Sequence, residues 1–189
     1  KSNKKITHYK DKLPLFESYG IKNPINSLTE ENIYLRSGGY LVINPTEALT
    51  SIDINSGRAT SEKNIEITAL NTNLEASEEI FKQIQLRNIA GLIVIDFIDM
   101  NIRKNNYLVE NTLKNSFRKD KAKIQIGRIS NFGLMEMSRQ RLRPSLLEIN
   151  FKECSVCGGL GLIRSIESQS LQIIRHIELL LKSNGNKSI

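Results

Sequence analysis

An α/β fold of the α+β kind, with one mixed sheet, flanking helices, a short cysteine link and a C-terminal helix, is predicted by three features of the 189-residue chain. Residues Leu49–Asn55 alternate with the period of a half-buried strand. Gly91-Leu-Ile-Val-Ile-Asp96 is a continuous apolar run of strand length, which suits a strand covered on both faces at the centre of a sheet. Apolar residues between and beyond these runs recur at helical spacing, so strands and helices alternate along the chain.

Taken in order, a basic lead precedes Leu13–Ile25, where Gly20 and Pro24 interrupt apolar residues in the manner of an irregular connector. Ile33-Tyr34-Leu35-Arg36 and Tyr40-Leu41-Val42-Ile43 flank Ser37-Gly38-Gly39, the local signature of a hairpin. The strand at 49–55 puts Ile52 and Ile54 on one face and Asp53 and Asn55 on the other. A helix is expected over Leu74–Leu86, with Thr72 and Glu75 as a capping box and Leu74, Ser77, Phe81 and Ile84 at helical spacing. The apolar strand 91–96 follows, then a helix over Leu108–Phe117 carrying Val109, Leu113 and Phe117, then a short strand with Ile124 and Ile126. Beyond Pro144 the composition changes to a cysteine- and glycine-rich link and a last helix with Leu171, Ile174, Ile177 and Leu181 on one side. Four segments result: 1–26 as lead and connector, 27–145 as the main domain, 146–162 as the link and 163–189 as the start of a further unit with a polar tail from Ser183.

Twenty-seven Lys and Arg against 20 Asp and Glu leave a net charge of +7, which favours a polyanionic partner and nucleic acid first. The bland alternative is a basic chain kept in solution by its charge. No run of roughly 18 apolar residues occurs, and the Lys-rich start lacks the apolar stretch of a signal peptide, so the chain reads as intracellular. It begins with Lys1 rather than Met, and is expected to be a piece of a longer protein.

His8 and His176 are the only histidines, one in the lead and one in the last helix, which argues against a histidine acid–base pair. Carboxylates at strand ends suit magnesium instead, because Mg²⁺ takes oxygen ligands and keeps several waters. Asp53 leaves the core face with Asn55 beside it, and Asp96 closes the most apolar strand, where open α/β sheets bind ligands. Two such aspartates would hold one ion, and Asn55 would orient a ligand or phosphate. Either Asp alone is more often a turn or cap residue, and Asp99 competes for the second place. Arg128, Arg139, Arg141 and Arg143 crowd a stretch with Phe132, a composition suited to phosphate contacts and base stacking, or otherwise a solvated helix face countered by Glu136.

Cys154 and Cys157 have the spacing of a zinc half-site, with Gly158 and Gly159 allowing a tight turn around the metal. With no other cysteine in the chain, two further ligands would come from a symmetry-related chain, making a dimer. A redox pair normally opens a helix after a strand, and the glycines disfavour a helix here; a plain pair of free thiols stays open.

Four stretches, Ser51–Thr60, Asn71–Ala76, Gly91–Met100 and Phe132–Leu142, resemble in order the catalytic region of the bacterial ribonuclease E and ribonuclease G family. The resemblance implies that residues 27–145 are a deoxyribonuclease-I-like subdomain, preceded by the end of a ribonuclease-H-like one, with a zinc-link and the start of a small dimerisation domain after it. It implies that Asp53 and Asp96 bind Mg²⁺ with Asn55 assisting, which favours Asp96 over Asp99. It implies that Cys154 and Cys157 share one Zn²⁺ between two chains, giving a homodimer and, by pairing again, a homotetramer. The implied activity is hydrolysis of A/U-rich single-stranded RNA to 5′-phosphate and 3′-hydroxyl ends, in mRNA decay and in rRNA and tRNA processing. The implied compartment is the bacterial cytoplasm, with the plastid stroma as alternative. The chain departs from the family in carrying Ser155 where a proline is usual and Asn131 where a basic residue is usual. The family's S1 RNA-binding domain and 5′-monophosphate sensor precede this region and are not in these residues. The rival expectation is a non-catalytic, zinc-linked RNA-binding or assembly fragment.

Overall fold

The structure, a computed structural model, describes residues 8–57 and 65–183. The first part of the basic lead, Arg58–Thr60 of the first family-like stretch and the polar tail after Ser183 lie outside the described residues. The chain divides into two compact units between Asn150 and Phe151.

In the first unit the elements are α1 (Leu15–Ser18), α2 (Lys22–Ser27), β1 (Asn32–Tyr34), β2 (Tyr40–Pro45), β3 (Thr50–Asn55), α3 (Ile65–Arg87), β4 (Gly91–Asp96), α4 (Arg103–Phe117), β5 (Ile124–Ile129), β6 (Leu134–Arg139) and α5 (Leu146–Asn150). One six-stranded sheet runs β1-β2-β3-β4-β6-β5. It is mixed: β3 and β4 are parallel, joined by the crossover through α3, and every other pair is antiparallel. The expected α+β architecture with flanking helices is therefore what the chain adopts.

Burial selects which side chains face the helices. Leu41, Ile43, Ile52, Ile54, Ile93, Ile95, Met135 and Met137 pack against Ile80, Ile84, Val109 and Leu113 of the two long helices. Each such side chain removed from water contributes about 1.5–3 kcal/mol. Phe81 of α3 and Phe117 of α4 meet edge to face, ring centroids 5.1 Å apart, which ties the helices to each other.

Several elements differ from expectation, each for a visible reason. Helix α3 starts at Ile65, not Leu74, and Thr72 is buried inside it. The Thr72/Glu75 spacing is not a capping box, because Glu75 reaches away from the helix to accept the N–H groups of Arg36 and Ser37 at 2.7 and 3.0 Å. Helix α4 starts at Arg103, and the three apolar residues expected to face the core do so. The basic stretch, for which a solvated helix face was the bland alternative, contains strand β6: Leu134–Arg139 alternates between exposed and buried, with Met135, Met137 and Arg139 inward. A charged residue at an inward position hid that pattern. The apolar β4 is covered on one face only within this unit, since Ile93 and Ile95 are fully buried while Leu92 is 45% exposed.

Arg139 is held inside by Asp120. Its Nε and Nη2 donate to the two carboxylate oxygens at 2.9 and 3.3 Å, and Nη1 donates to the Ile89 carbonyl at 2.9 Å. Burial pushes the Asp120 carboxyl up, but the bonds from Arg139 and the Ala122 N–H outweigh it, so it sits below the ordinary carboxylate range.

The second unit contains α6 (Ile166–Ser183) after a glycine-rich turn. Leu171, Ile174, Ile177 and Leu181 line it, each at least half exposed. No helix among the described residues is long and apolar enough to cross a membrane.

Because the Asp120 pKa is lowered on folding, its contribution to stability is full above the unfolded carboxylate value of about 3.9 and disappears as pH falls through the folded value. Asp120→Ala is expected to lower the unfolding free energy by about 3–5 kcal/mol at neutral pH by stranding Arg139. Denaturant titrations across pH should show the gap from wild type narrowing below about pH 4.

Candidate functional site

The two isoleucine pairs that enter the core decide where the polar residues between them go. Ile52 and Ile54 bury toward the helices, so Asp53 and Asn55 emerge on the uncovered face; Ile93 and Ile95 do the same for Asp96. The parallel register then sets Asp53 directly opposite Asp96 on adjacent strands. Val42 and Leu134 extend that row on either side. Asn55 Nδ2 donates to Asp53 Oδ2 at 2.8 Å, leaving the other carboxylate oxygen to the site.

A shallow cavity of about 420 Å³ collects Asp53, Asn55, Ser56, Asp96, Asp99 and Phe132. Phe132 stands 84% exposed at its edge. Burial, then the charge of Asp53, then that of Asp99, raises the Asp96 carboxyl above its ordinary range. Carboxylates held this close repel until a cation is shared, so the donor set, two opposed aspartates with a third at the rim and a carboxamide, fits a hard divalent ion such as Mg²⁺. No group of three or more His, Cys, Asp and Glu side chains converges tightly among the described residues. Water and substrate oxygens would complete such a shell.

The loops that carry these groups are fastened by residues the sequence did not single out. Asn73, fully buried in α3, donates through Nδ2 to the Ile98 carbonyl at 2.8 Å and accepts the Ile98 N–H at 3.1 Å. This amide holds the turn between Asp96 and Asp99 as a strand neighbour would. Glu66 of α3 accepts the N–H groups of Asn101 and Ile102 at 3.0 and 3.2 Å, fixing the far end of the same turn, where α4 begins, onto α3. The legible signal was a polar residue on the buried stripe of a helix, since an amide at such a position must find partners.

Two glycines are required by close approach. At Gly39 a Cβ would lie 2.6 Å from the Asn55 carbonyl and 2.9 Å from Thr72 Cγ2, so the hairpin turn packs directly under the end of β3. At Gly133 the backbone has φ +77° and a Cβ would lie 3.0 Å from Asp99 Oδ1 and 3.2 Å from the Phe97 carbonyl. Its carbonyl accepts the Phe97 N–H at 3.2 Å, joining the β5–β6 turn to the aspartate loop.

The remaining candidates are dispersed. Arg139 is buried on Asp120, so its guanidinium has no surface from which to meet RNA, and the contact expected of it is withdrawn. Arg141 donates both terminal nitrogens to Glu148 at 2.9 and 3.0 Å, away from the aspartates. Arg128 is exposed at the end of β5, next to a groove described below.

In the second unit Cys154 is an exposed free thiol and Cys157 a half-buried one. The Gly158 N–H bonds the Cys154 carbonyl at 2.8 Å and the Leu160 N–H bonds the Cys157 carbonyl at 3.1 Å. Gly158, Gly159 and Gly161 all have positive φ, the conformations that glycine adopts without strain. Hydrogen bonds from the Cys157 and Val156 N–H groups, then from the Cys157 side chain, lower the Cys154 thiol pKa. A turn that favours the thiolate fits a zinc half-site of two sulfurs.

Residues 1–142 match the model of the ribonuclease E/G family. The chain belongs to the ribonuclease E/G family. It is 53% identical over 174 residues to ribonuclease E of Escherichia coli K12, covering 92% of the chain and 16% of that protein. Ribonuclease E of Buchnera aphidicola subsp. Schizaphis graminum is 52% identical over 174 residues, at 92% and 18% coverage. Ribonuclease G of Salmonella typhimurium is 40% identical over 173 residues, at 92% and 35% coverage. The chain thus spans well under half of these ribonuclease E/G relatives.

Asn73→Ala would strand the N–H and carbonyl of Ile98, and is expected to destabilise the first unit by about 2–4 kcal/mol. Gly133→Ala is expected to cost upwards of about 1 kcal/mol through strain alone. Both are measured by equilibrium denaturation, and hydrogen exchange should place the local loosening of Asn73→Ala in residues 97–102.

Proposed function

We propose that this chain is the catalytic part of a magnesium-dependent endoribonuclease that cuts single-stranded RNA. The observation that carries this reading is the register pairing of Asp53 with Asp96 on the uncovered sheet face, with Asn55 bonded to the first and with burial and the charge of Asp53 raising the second. Membership of a family whose relatives are named ribonuclease E and ribonuclease G supports the reaction type.

Asp53 and Asp96 would hold the ion, each offering carboxylate oxygens on the same face. When bound, Mg²⁺ supplies an activated water and neutralises charge on the scissile phosphate. Asn55 keeps the Asp53 carboxylate in one orientation by its 2.8 Å bond, so that the oxygen facing the cavity is preset. Phe132, exposed at the cavity edge, presents a ring on which a base next to the scissile phosphate stacks. Net charge +7 draws the polyanion in. A/U-rich substrates, 5′-phosphate and 3′-hydroxyl products, and work in mRNA decay and rRNA or tRNA maturation in the cytoplasm complete the proposal by family likeness.

Cys154 and Cys157 would supply half of a tetrahedral zinc site, with the same pair from a second chain supplying the rest. The exposed apolar side of α6 is a second surface on which paired chains could associate further.

The deciding test is cleavage of a 5′-monophosphorylated A/U-rich oligonucleotide with Mg²⁺ and with EDTA. Asp53→Asn and Asp96→Asn are each expected to lower the rate at least about 10³-fold while RNA binding persists; an active mutant free of contaminating nuclease would refute the assignment. For the link, metal analysis should find one zinc per two chains, and Cys154→Ser with Cys157→Ser should release it and yield monomers. Zinc retained by the double mutant would exclude these cysteines as ligands.

A further inference from the structure

Beside the aspartate cavity runs a larger polar groove of about 630 Å³. One wall is the first three turns of α4, with Arg103, Tyr107 and Lys114; the other is the end of β5 and its turn, with Arg128 and Asn131. Ile98 and Asp99 line both depressions, so the groove adjoins the aspartate cavity at the turn leaving β4.

Its charges can be sorted by partner. Of the two acids that line it, Asp99 lies at the junction with the aspartate cavity, while Glu110 is buried, accepts the Ile129 N–H at 2.9 Å and faces the Lys114 ammonium at 3.7 Å, so the Glu110 charge is compensated within the wall. The guanidinium groups of Arg103 and Arg128 are exposed and have no hydrogen-bond or ion-pair partner among the described residues. Tyr107, 63% exposed, lines the same groove with Asn106. The adjoining depressions are thus acidic at the Asp53–Asp96 end and carry, at the other, two guanidinium groups with no partner among the described residues and an open aromatic ring. Glu66 accepts the N–H groups of Asn101 and Ile102 just before α4, which adds a carboxylate at that helix start.

We propose that this groove is a second RNA subsite, in which Arg103 and Arg128 hold a phosphate flanking the scissile one and Tyr107 stacks a base. The inference rests on the nuclease reading of the aspartate cavity and adds residues that fix the strand's path across it. Guanidinium forks match phosphate oxygens two at a time, and an exposed ring accepts any base, so the subsite positions the backbone without reading sequence. An acidic peptide would satisfy the arginines but has no use for the ring or for the junction with the aspartates.

The test uses the full chain and a labelled A/U-rich oligonucleotide, followed by anisotropy across salt concentrations and by steady-state cleavage with Mg²⁺. Arg103→Ala with Arg128→Ala should make the log K against log salt slope shallower by about 0.7, the amount for one single-strand phosphate contact. Tyr107→Ala should weaken binding about tenfold with the slope unchanged. In cleavage, each should raise KM and leave kcat nearly unchanged, because the contacts exist before the chemical step. Lys82→Ala, on α3 beside Glu79, is the control and should change neither. Unaltered slope and affinity in variants that unfold at the wild-type denaturant concentration overturn the subsite, as does a wild-type chain that binds no RNA. A wild-type chain that binds through the groove but never cuts refutes the nuclease reading and leaves the subsite standing; normal cutting with silent groove variants does the reverse.

Discussion

The parallel pairing of β3 with β4 is the constraint on which the rest of this unit depends. It sets Ile52 beside Ile95 inside and Asp53 beside Asp96 outside, in one register. A slip of one residue would bury a carboxylate and expose an isoleucine, a penalty of several kcal/mol from either change alone. The apolar core therefore specifies the spacing of the acids, although no core residue touches them. Burial and then the nearby Asp53 charge raise the Asp96 carboxyl, and that repulsion is the cost of the alignment which a shared cation would relieve in the proposed site.

Helix α3 makes this pairing possible and then uses its polar residues to finish the site. As the crossover between two parallel strands it must lie over the sheet, which places Ile80 and Ile84 in the core. From that position Glu66, Asn73 and Glu75 reach three separate stretches of backbone: the start of α4, the turn after β4 and the β1–β2 hairpin. Each bond satisfies backbone groups that have no ladder partner, so loops at the rim are held by a rigid element and not left to their own stiffness. Gly39 and Gly133 serve the same end, allowing the hairpin and the β5–β6 turn to press against the chain that carries the acids.

The two units divide the proposed tasks along chemical lines. Oxygen donors that suit a hard ion gather on the sheet, where strand geometry holds them in opposition. Sulfur donors that suit a borderline ion sit in a glycine turn of the second unit, where backbone N–H groups favour the thiolate. Neither set completes a coordination shell by itself. In the proposed function the first would leave room for substrate and the second for another chain, the difference between a working site and a fastening.

Period and composition by themselves were enough for the α+β class, the inward isoleucines, the outward Asp53 and Asn55, and the position of Asp96 at a strand end, because alternation of two obeys only the pleat and the demand for burial. The spacing of Cys154 and Cys157 was equally local. Strand β6 escaped because Arg139, an inward residue, breaks the alternation, and only the fold brings Asp120 to neutralise it. Thr72 and Glu75 mimicked a helix start because the pattern is four residues long while their true partners, Gly39 and the 36–37 backbone, are more than thirty residues away. That Asp53 faces Asp96, that Asn73 holds the turn between the acids, and that Arg128 is open while Arg139 is closed were decided by tertiary structure alone. Each is a pairing across long sequence separation, which no local period encodes.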